Sequence, residues 1–203
     1  MTIRLLLADD QHLIRAGLAA LLDLEDDLEV VHQLPDGTGV VDAIRDHEVD
    51  VAVLDIEMPE VDGITATQHI TDAFGSSIAV LILTTFGRAG YLQRAMTAGA
   101  RGFMVKDAPA DQLAEAIRTV HAGGKAVDPT LAAEALSTGA NPLTDRERDV
   151  LKAALSGASV KDIATQVHLT PGTVRNHLSS AIGKTHTSNR TEAARTAQLN
   201  GWL

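Results

Sequence analysis

The chain contains no cysteine, which excludes disulfide bonds, thiolate zinc sites and a cysteine nucleophile. No apolar run approaches the ~20 residues that a bilayer-spanning helix needs, so membrane insertion is not expected. The opening Met1-Thr2-Ile3-Arg4 lacks a charged region followed by an apolar segment and a cleavage site, so no signal peptide is expected either. Together these absences predict a soluble, cytoplasmic protein. Positive charge is also scarce, the formal net charge being −10 over 203 residues. Taken whole, that argues against nucleic acid as a partner.

The charge is unevenly spread, however. Residues 1–123 hold 20 Asp and Glu against 8 Lys and Arg, a balance of −12, whereas residues 144–203 hold 5 against 8, or +3. His168, His177 and His186 add to the second group. An acidic half joined to a mildly basic half predicts two domains with different partners. The 45% hydrophobic content is enough for a real core.

Hydrophobic patterning separates the two halves by fold class. In residues 1–123, aliphatic runs at 3–8, 29–33, 51–54, 78–83 and 101–105 read as buried strands. They alternate with helical segments near 12–24, 38–47, 64–74, 89–98 and 109–121. On the first helix, Leu13, Ala16, Gly17, Ala20, Leu21 and Leu24 fall on one face. On the last, Leu113, Ala116, Ile117 and Val120 do so, with Pro109 suited to the first turn. Five βα repeats predict a doubly wound parallel sheet of flavodoxin-like strand order.

Residues 124–142 are expected to form a linker, with a short helix after Asp128-Pro129 and a flexible stretch at 137–142. Residues 143–203 read as a small all-helical domain. Thr144-Asp145-Arg146-Glu147 has the capping-box pattern, and Val150, Leu151, Ala154 and Leu155 give its helix an apolar side. A helix at 160–167, a tight turn and a helix opened by Pro171 form a helix-turn-helix signal. A last helix runs from about Arg190 to Leu199, capped by Ser188 or Asn189.

The chemistry-bearing residues collect at one sheet edge. Asp9 and Asp10 follow the first strand, Asp55 the third and Lys106 the fifth, and ligands of open α/β sheets sit beyond the carboxyl ends of strands. Singly, each has a plain explanation: Asp9 or Asp10 could cap a helix, Asp55 could start a turn, and Lys106 could be a solvated lysine. Jointly, they provide carboxylates for a hard cation such as Mg2+ and an ammonium for a phosphoryl group. Asp10 and Asp55 are expected as direct ligands, Asp9 through water, and Glu57 through its backbone carbonyl. Asp55 is then the phosphate acceptor, with Lys106 offsetting the transferred charge. Thr84 ends the fourth strand, where its hydroxyl can reach the new phosphate; Thr85 is the competing choice.

Asp9-Asp10, Asp55 within Leu54-Asp55-Ile56-Glu57-Met58-Pro59, Thr84-Thr85-Phe86 and Lys106-Asp107 resemble a response-regulator receiver domain. Leu143-Thr144-Asp145-Arg146-Glu147 and Thr173-Val174-Arg175-Asn176-His177-Leu178 resemble the LuxR-type helix-turn-helix of NarL/FixJ response regulators. The resemblance spans nearly the whole chain. It implies a two-component transcription factor rather than an enzyme. Phosphotransfer would come from a sensor histidine kinase, and phosphorylation would favour homodimerisation and binding to double-stranded promoter DNA. The family's aromatic switch position falls on Phe103.

Within the second domain, Arg175, Asn176 and Ser179 are expected to face bases. Thr170, Thr173, His177 and Lys184, with Lys161 on the preceding helix, are expected at phosphates. Thr185 and Thr187 stand where the family carries hydrophobic residues. Receiver pairing could use the first and fifth helices, or the fourth helix to the fifth strand. Ala193, Ala194 and Ala197 could pair two second domains or pack within one. Two rivals share features with this reading: a phosphohydrolase with Glu57 as general acid, and a DNA-binding protein whose receiver only dimerises.

Overall fold

The structure is a computed structural model and describes residues 2–85, 87, 89–138 and 141–203. Two compact units are present, one formed chiefly by residues 2–85 and Leu92–Ala133, the other chiefly by Glu134–Leu203. Phe86 of the Thr84-Thr85-Phe86 motif, and residues 139–140 of the expected flexible stretch, lie outside the described residues.

The first unit alternates β1 (Ile3–Ala8), α1 (His12–Leu22), β2 (Leu28–Leu34), α2 (Val40–Asp46), β3 (Val51–Leu54), α3 (Gly63–Phe74), β4 (Ala79–Thr84), α4 (Ala89–Ala98), β5 (Gly102–Val105) and α5 (Ala110–His121). A two-residue strand, β6 (Ala126–Val127), and α6 (Pro129–Thr138) follow. Strand order is β2-β1-β3-β4-β5-β6, and each neighbouring pair runs parallel. This is the flavodoxin-like order, extended by one strand drawn from the expected linker.

The core on one face of the sheet joins Leu5, Leu7, Val51, Val53, Leu81, Leu83 and Met104 to α1 and α5 through Ala19, Leu22, Leu113 and Ile117. Successive strand residues alternate faces, so Leu6, Leu54, Ile82 and Phe103 belong to the other side. All four are fully buried. Burial on both faces explains why the strands read as continuous aliphatic runs.

Helix α1 departs from its expected orientation. Leu13 is 85% exposed and Leu21 is also exposed, while Ala19 and Leu22 face the core; Leu24, expected on the helix, lies past its end and is exposed too. The segment is apolar nearly all round, so spacing alone did not select the buried stripe. Pro109 is the N-cap of α5, with extended ψ, and stands just outside the first turn.

The second unit contains α7 (Asp145–Leu155), α8 (Val160–Gln166), α9 (Pro171–Lys184) and α10 (Arg190–Leu199). Thr144 and Glu147 form the capping box of α7. Ser159 and Asp162 form a second at α8. Thr170 caps α9 and Asn189 caps α10. Val150, Leu151, Ile163, Val174, Leu178, Ala181 and Trp202 share one core with Ala193, Ala194 and Ala197. The three alanines thus pack inside the domain. Leu155, at the last turn of α7, is exposed rather than buried.

Candidate phosphoryl site and nucleic-acid interface

The ends of β1, β3 and β5 bring Asp9, Asp55 and Lys106 together. Asp55 N donates to the Ala8 carbonyl at 2.8 Å, Asp9 N to Leu34 O at 3.1 Å, and Lys106 N to Thr84 O at 2.8 Å. Each residue therefore continues a sheet ladder by one hydrogen bond. The Lys106 Nζ lies 2.7 Å from Asp9 Oδ2 and 3.0 Å from Asp55 Oδ2. Asp9 and Asp55 are each only 4% exposed, whereas Asp10 is exposed. Asp9 Oδ1 accepts from Gln11 N at 2.9 Å, and Asp55 Oδ1 from Ile56 N at 2.8 Å. The N-cap of α1 is Gln11, without a side-chain cap bond. Neither aspartate is therefore spent on capping that helix.

The electrostatics match a site with surplus negative charge. Burial pushes the Asp55 carboxyl above its ordinary value. The Asp9 charge adds to this, against the opposing pull of Lys106 and the Ile56 amide. Burial alone would lower the Lys106 pKa, but the Asp9 and Asp55 carboxylates outweigh it and raise it. One carboxylate oxygen from each of Asp9, Asp10 and Asp55 lies within 4.8 Å of the others. Three hard oxygen donors at that spacing, open to solvent on the Asp10 side, fit a small divalent cation.

The supporting residues are less visible in sequence. Gly63 opens α3 against the Asp55 backbone, and a Cβ there would lie 2.0 Å from the Asp55 carbonyl oxygen. The motif Val61-Asp62-Gly63 signals a turn, but not this contact. Asp62 caps α3 through Thr65 N at 2.7 Å. Glu57 is exposed in the loop after β3. Thr84 is 1% exposed at the end of β4, while Thr85 is exposed. Phe103 pairs with Ile82 and Val105 with Thr84. Phe103 and Thr84 thus occupy one face of adjacent strands, two positions apart.

In the second unit, Arg175, Asn176 and Ser179 are exposed on α9, opposite buried Val174, Leu178 and Ala181. Thr170 Oγ1 caps that helix and lies 2.8 Å from Thr173 Oγ1. Lys161 is exposed, and Thr173 and His177 are half-buried. Lys184 already has a partner: its Nζ is 2.7 Å from Glu147 Oε2.

Glu147 is a residue whose second role the sequence did not disclose. Its carboxylate also accepts from Ser180 Oγ and from Thr144 N, each at 2.7 Å. Burial would raise its pKa, but Lys184, Ser180 and Thr144 together lower it to about 2. It ties the start of α7 to the end of α9. Thr185 is buried and donates to Ala181 O at 2.8 Å, with Thr187 Oγ1 3.0 Å away. The two threonines, placed where hydrophobic residues were expected, therefore satisfy their hydroxyls locally.

Comparison with known proteins supports both halves. Residues 5–118 match the response regulator receiver domain, and residues 141–197 match the family of bacterial regulatory proteins of the luxR type. The chain is 41% identical over 201 residues to the transcriptional regulatory protein DesR of Bacillus subtilis, covering 99% of each. It is 34% identical to the transcriptional regulatory protein UhpA of Escherichia coli, covering 97% of each. Among solved structures, the response regulator ChrA of a heme-sensing two-component system matches with TM-score 0.59 and 32% identity. That match covers 100% of this chain and 99% of the other.

Proposed function

Because the chain belongs to the two-component response regulators, with a receiver domain and a LuxR-type DNA-binding domain, we propose that Asp55 is its phosphoacceptor. The family regulates transcription and is not one of enzymes, so the site is read as an input rather than an active centre. The observation that carries the proposal is Lys106 held between buried Asp9 and Asp55, with Asp10 in reach of both carboxylates. The donor is a sensor histidine kinase. An Asp55 oxygen forms the new O–P bond as the P–N bond of the kinase phosphohistidine breaks, and the departing imidazole takes up a proton.

Asp10 and Asp55 would hold Mg2+ directly, Asp9 through water and Glu57 through its carbonyl; the ion supplies charge for the incoming phosphoryl group. Lys106 stays beside the acceptor as a second positive charge. The Thr84 hydroxyl then donates a hydrogen bond to a phosphate oxygen. Phe103, two positions away on the same sheet face, repacks with it. The solvent-exposed stripe of Leu13, Leu21 and Leu24 favours the α1–α5 face for pairing two phosphorylated receivers.

Pairing brings two DNA-binding domains, residues 143–203, to one promoter site. The receiver is taken as residues 1–123 and the linker as 124–142. Arg175, Asn176 and Ser179 face base edges; Lys161, Thr170, Thr173 and His177 meet phosphates. Lys184 would do so only while remaining near Glu147. A domain balance of +3 makes the binding salt-sensitive and dependent on pairing. No helix among the described residues is long and apolar enough to cross a membrane, which is consistent with a cytoplasmic place of action.

The test is to incubate the full chain with acetyl phosphate, with and without Mg2+, and measure intact mass. One phosphoryl group should be gained only with Mg2+, and none in Asp55→Ala. Labelling that persists in that variant would overturn the assignment. Solution mass with beryllofluoride should double, and an unchanged mass would remove the dimer step.

A further inference from the structure

We propose that Arg15 is a positioning residue of the acidic site: it fixes the peptide that joins Asp9 to Asp10 and so sets the affinity for Mg2+. This rests on the phosphoacceptor reading and adds to it a residue from outside the acidic cluster.

Arg15 lies on α1, one turn into the helix, and its Nη1 donates to the backbone carbonyl of Asp9. That carbonyl belongs to the peptide group between the two acids. A peptide group is planar, so holding its oxygen also fixes the direction in which Asp10 leaves. The remaining bonds to Asp9 act elsewhere. Leu34 O takes its amide, Gln11 N approaches Oδ1, and Lys106 Nζ pairs with Oδ2. Asp10 is exposed, so its placement depends on the main chain beneath it.

The guanidinium is not a counterion for the acids. Among the described residues, Arg15 makes no ion pair within 4.0 Å, whereas Lys106 contacts both buried aspartates. The Arg15 Nε is buried and has no hydrogen-bond partner among the described residues. The Arg15 side chain also borders a cavity of about 10 Å³ together with Asp9, Asp55, Val53 and Leu83. Keeping an unpaired guanidinium N–H in such a place is costly. The group that gains from it is the Asp9 carbonyl. Metal sites behave this way generally: partners that hold the ligands in place tune affinity without touching the ion.

The test titrates the full chain with Mg2+ by calorimetry, comparing the native protein with Arg15→Gln and Arg15→Lys. Arg15→Gln, whose shorter side chain withdraws its amide from the Asp9 carbonyl, should weaken Mg2+ binding about tenfold, and Arg15→Lys, which keeps a cationic donor at longer reach, should weaken it less. Labelling of Asp55 by acetyl phosphate should fall in Arg15→Gln at limiting Mg2+ and return to the native level at saturation. An unchanged Mg2+ affinity overturns the proposal. Tighter binding also overturns it, because Arg15 would then act as a competing charge. Labelling that stays low at saturating Mg2+ overturns it as well, since the role would lie in the chemistry or the fold. If Arg15→Gln fails to fold, Arg15→Lys carries the same comparison. Failure of the phosphoacceptor reading looks different: the native chain itself neither binds Mg2+ nor takes label, and this inference falls with it.

Discussion

The two domains each bury a carboxylate beside a lysine, and the environments are opposite. In the receiver, Lys106 faces Asp9 and Asp55 with Asp10 beside them, and burial drives the Asp55 carboxyl upward. In the DNA-binding domain, Glu147 meets one lysine, a serine hydroxyl and a backbone amide, and its carboxyl falls to about 2. A buried acid supplied with every donor it can use holds architecture in place. A buried cluster with more acid than base is held at a cost, which a bound cation would offset. Local charge balance thus separates a structural ion pair from a functional one, although both look alike as a close N–O distance.

The contrast can be broken most severely at Lys106. Lys106→Ala leaves two buried carboxylates without their ammonium and should destabilise the receiver by about 4 kcal/mol. Mg2+ should restore much of that, as read by hydrogen exchange of the sheet amides. Failure of Mg2+ to restore protection would place the pair in the structural class. Glu147→Ala is the matching change and should cost the second domain about 3 kcal/mol, with no recovery in Mg2+. The chain has a single tryptophan, Trp202, buried in that domain's core, so its fluorescence reports this unfolding separately.

The same fluorescence checks the pH dependence. Glu147 is depressed from 4.5 to about 2 on folding. Its contribution is therefore fully present above pH 4.5 and lost as pH falls through about 2. Glu147→Gln should flatten the acid limb of the Trp202 transition. A smaller effect of opposite sign is expected at Asp55. Without divalent cation, Asp55→Asn removes a charge disfavoured by burial and should raise receiver stability by about 1 kcal/mol, or roughly 4 °C. A loss of stability there would show that the site is not charge-frustrated. The smallest effect is expected from the double change Thr185→Leu and Thr187→Val. Both hydroxyls are removed together, and the Ala181 and Ile182 carbonyls keep the Thr185 and Thr187 amides, so no partner is orphaned and a gain of about 0.5 kcal/mol in the Trp202 transition is expected.

Much of this was legible in the chain because strand ends and caps are local features. Aliphatic runs ending in Asp9, Asp55 and Lys106 located the sheet edge, and Thr144 with Glu147 marked the start of α7. What escaped the sequence depended on direction. Helix α1 is apolar on most sides, so periodicity named Leu13 and Leu21 although Ala19 and Leu22 face the core. Strand β6 was hidden because a two-residue strand has no pattern of its own; its pairing with Gly102 and Phe103 defines it. Glu147 reads as a cap, and only the return of α9 supplies Ser180 and Lys184. Arg15 was invisible for the same reason: its partner is a backbone oxygen, and backbone oxygens have no letter in a sequence.

Gly63 gives the proposed acceptor site a genetic signature. A Cβ there would meet the Asp55 carbonyl oxygen at 2.0 Å, and that oxygen belongs to the backbone, which cannot swing aside as a side chain can. Every missense allele at codon 63 should therefore displace the Asp55 backbone, and with it the proposed acceptor, while leaving all of the acids and Lys106 encoded. A screen for signal-blind mutants should recover such alleles at a position that bears no ionisable group.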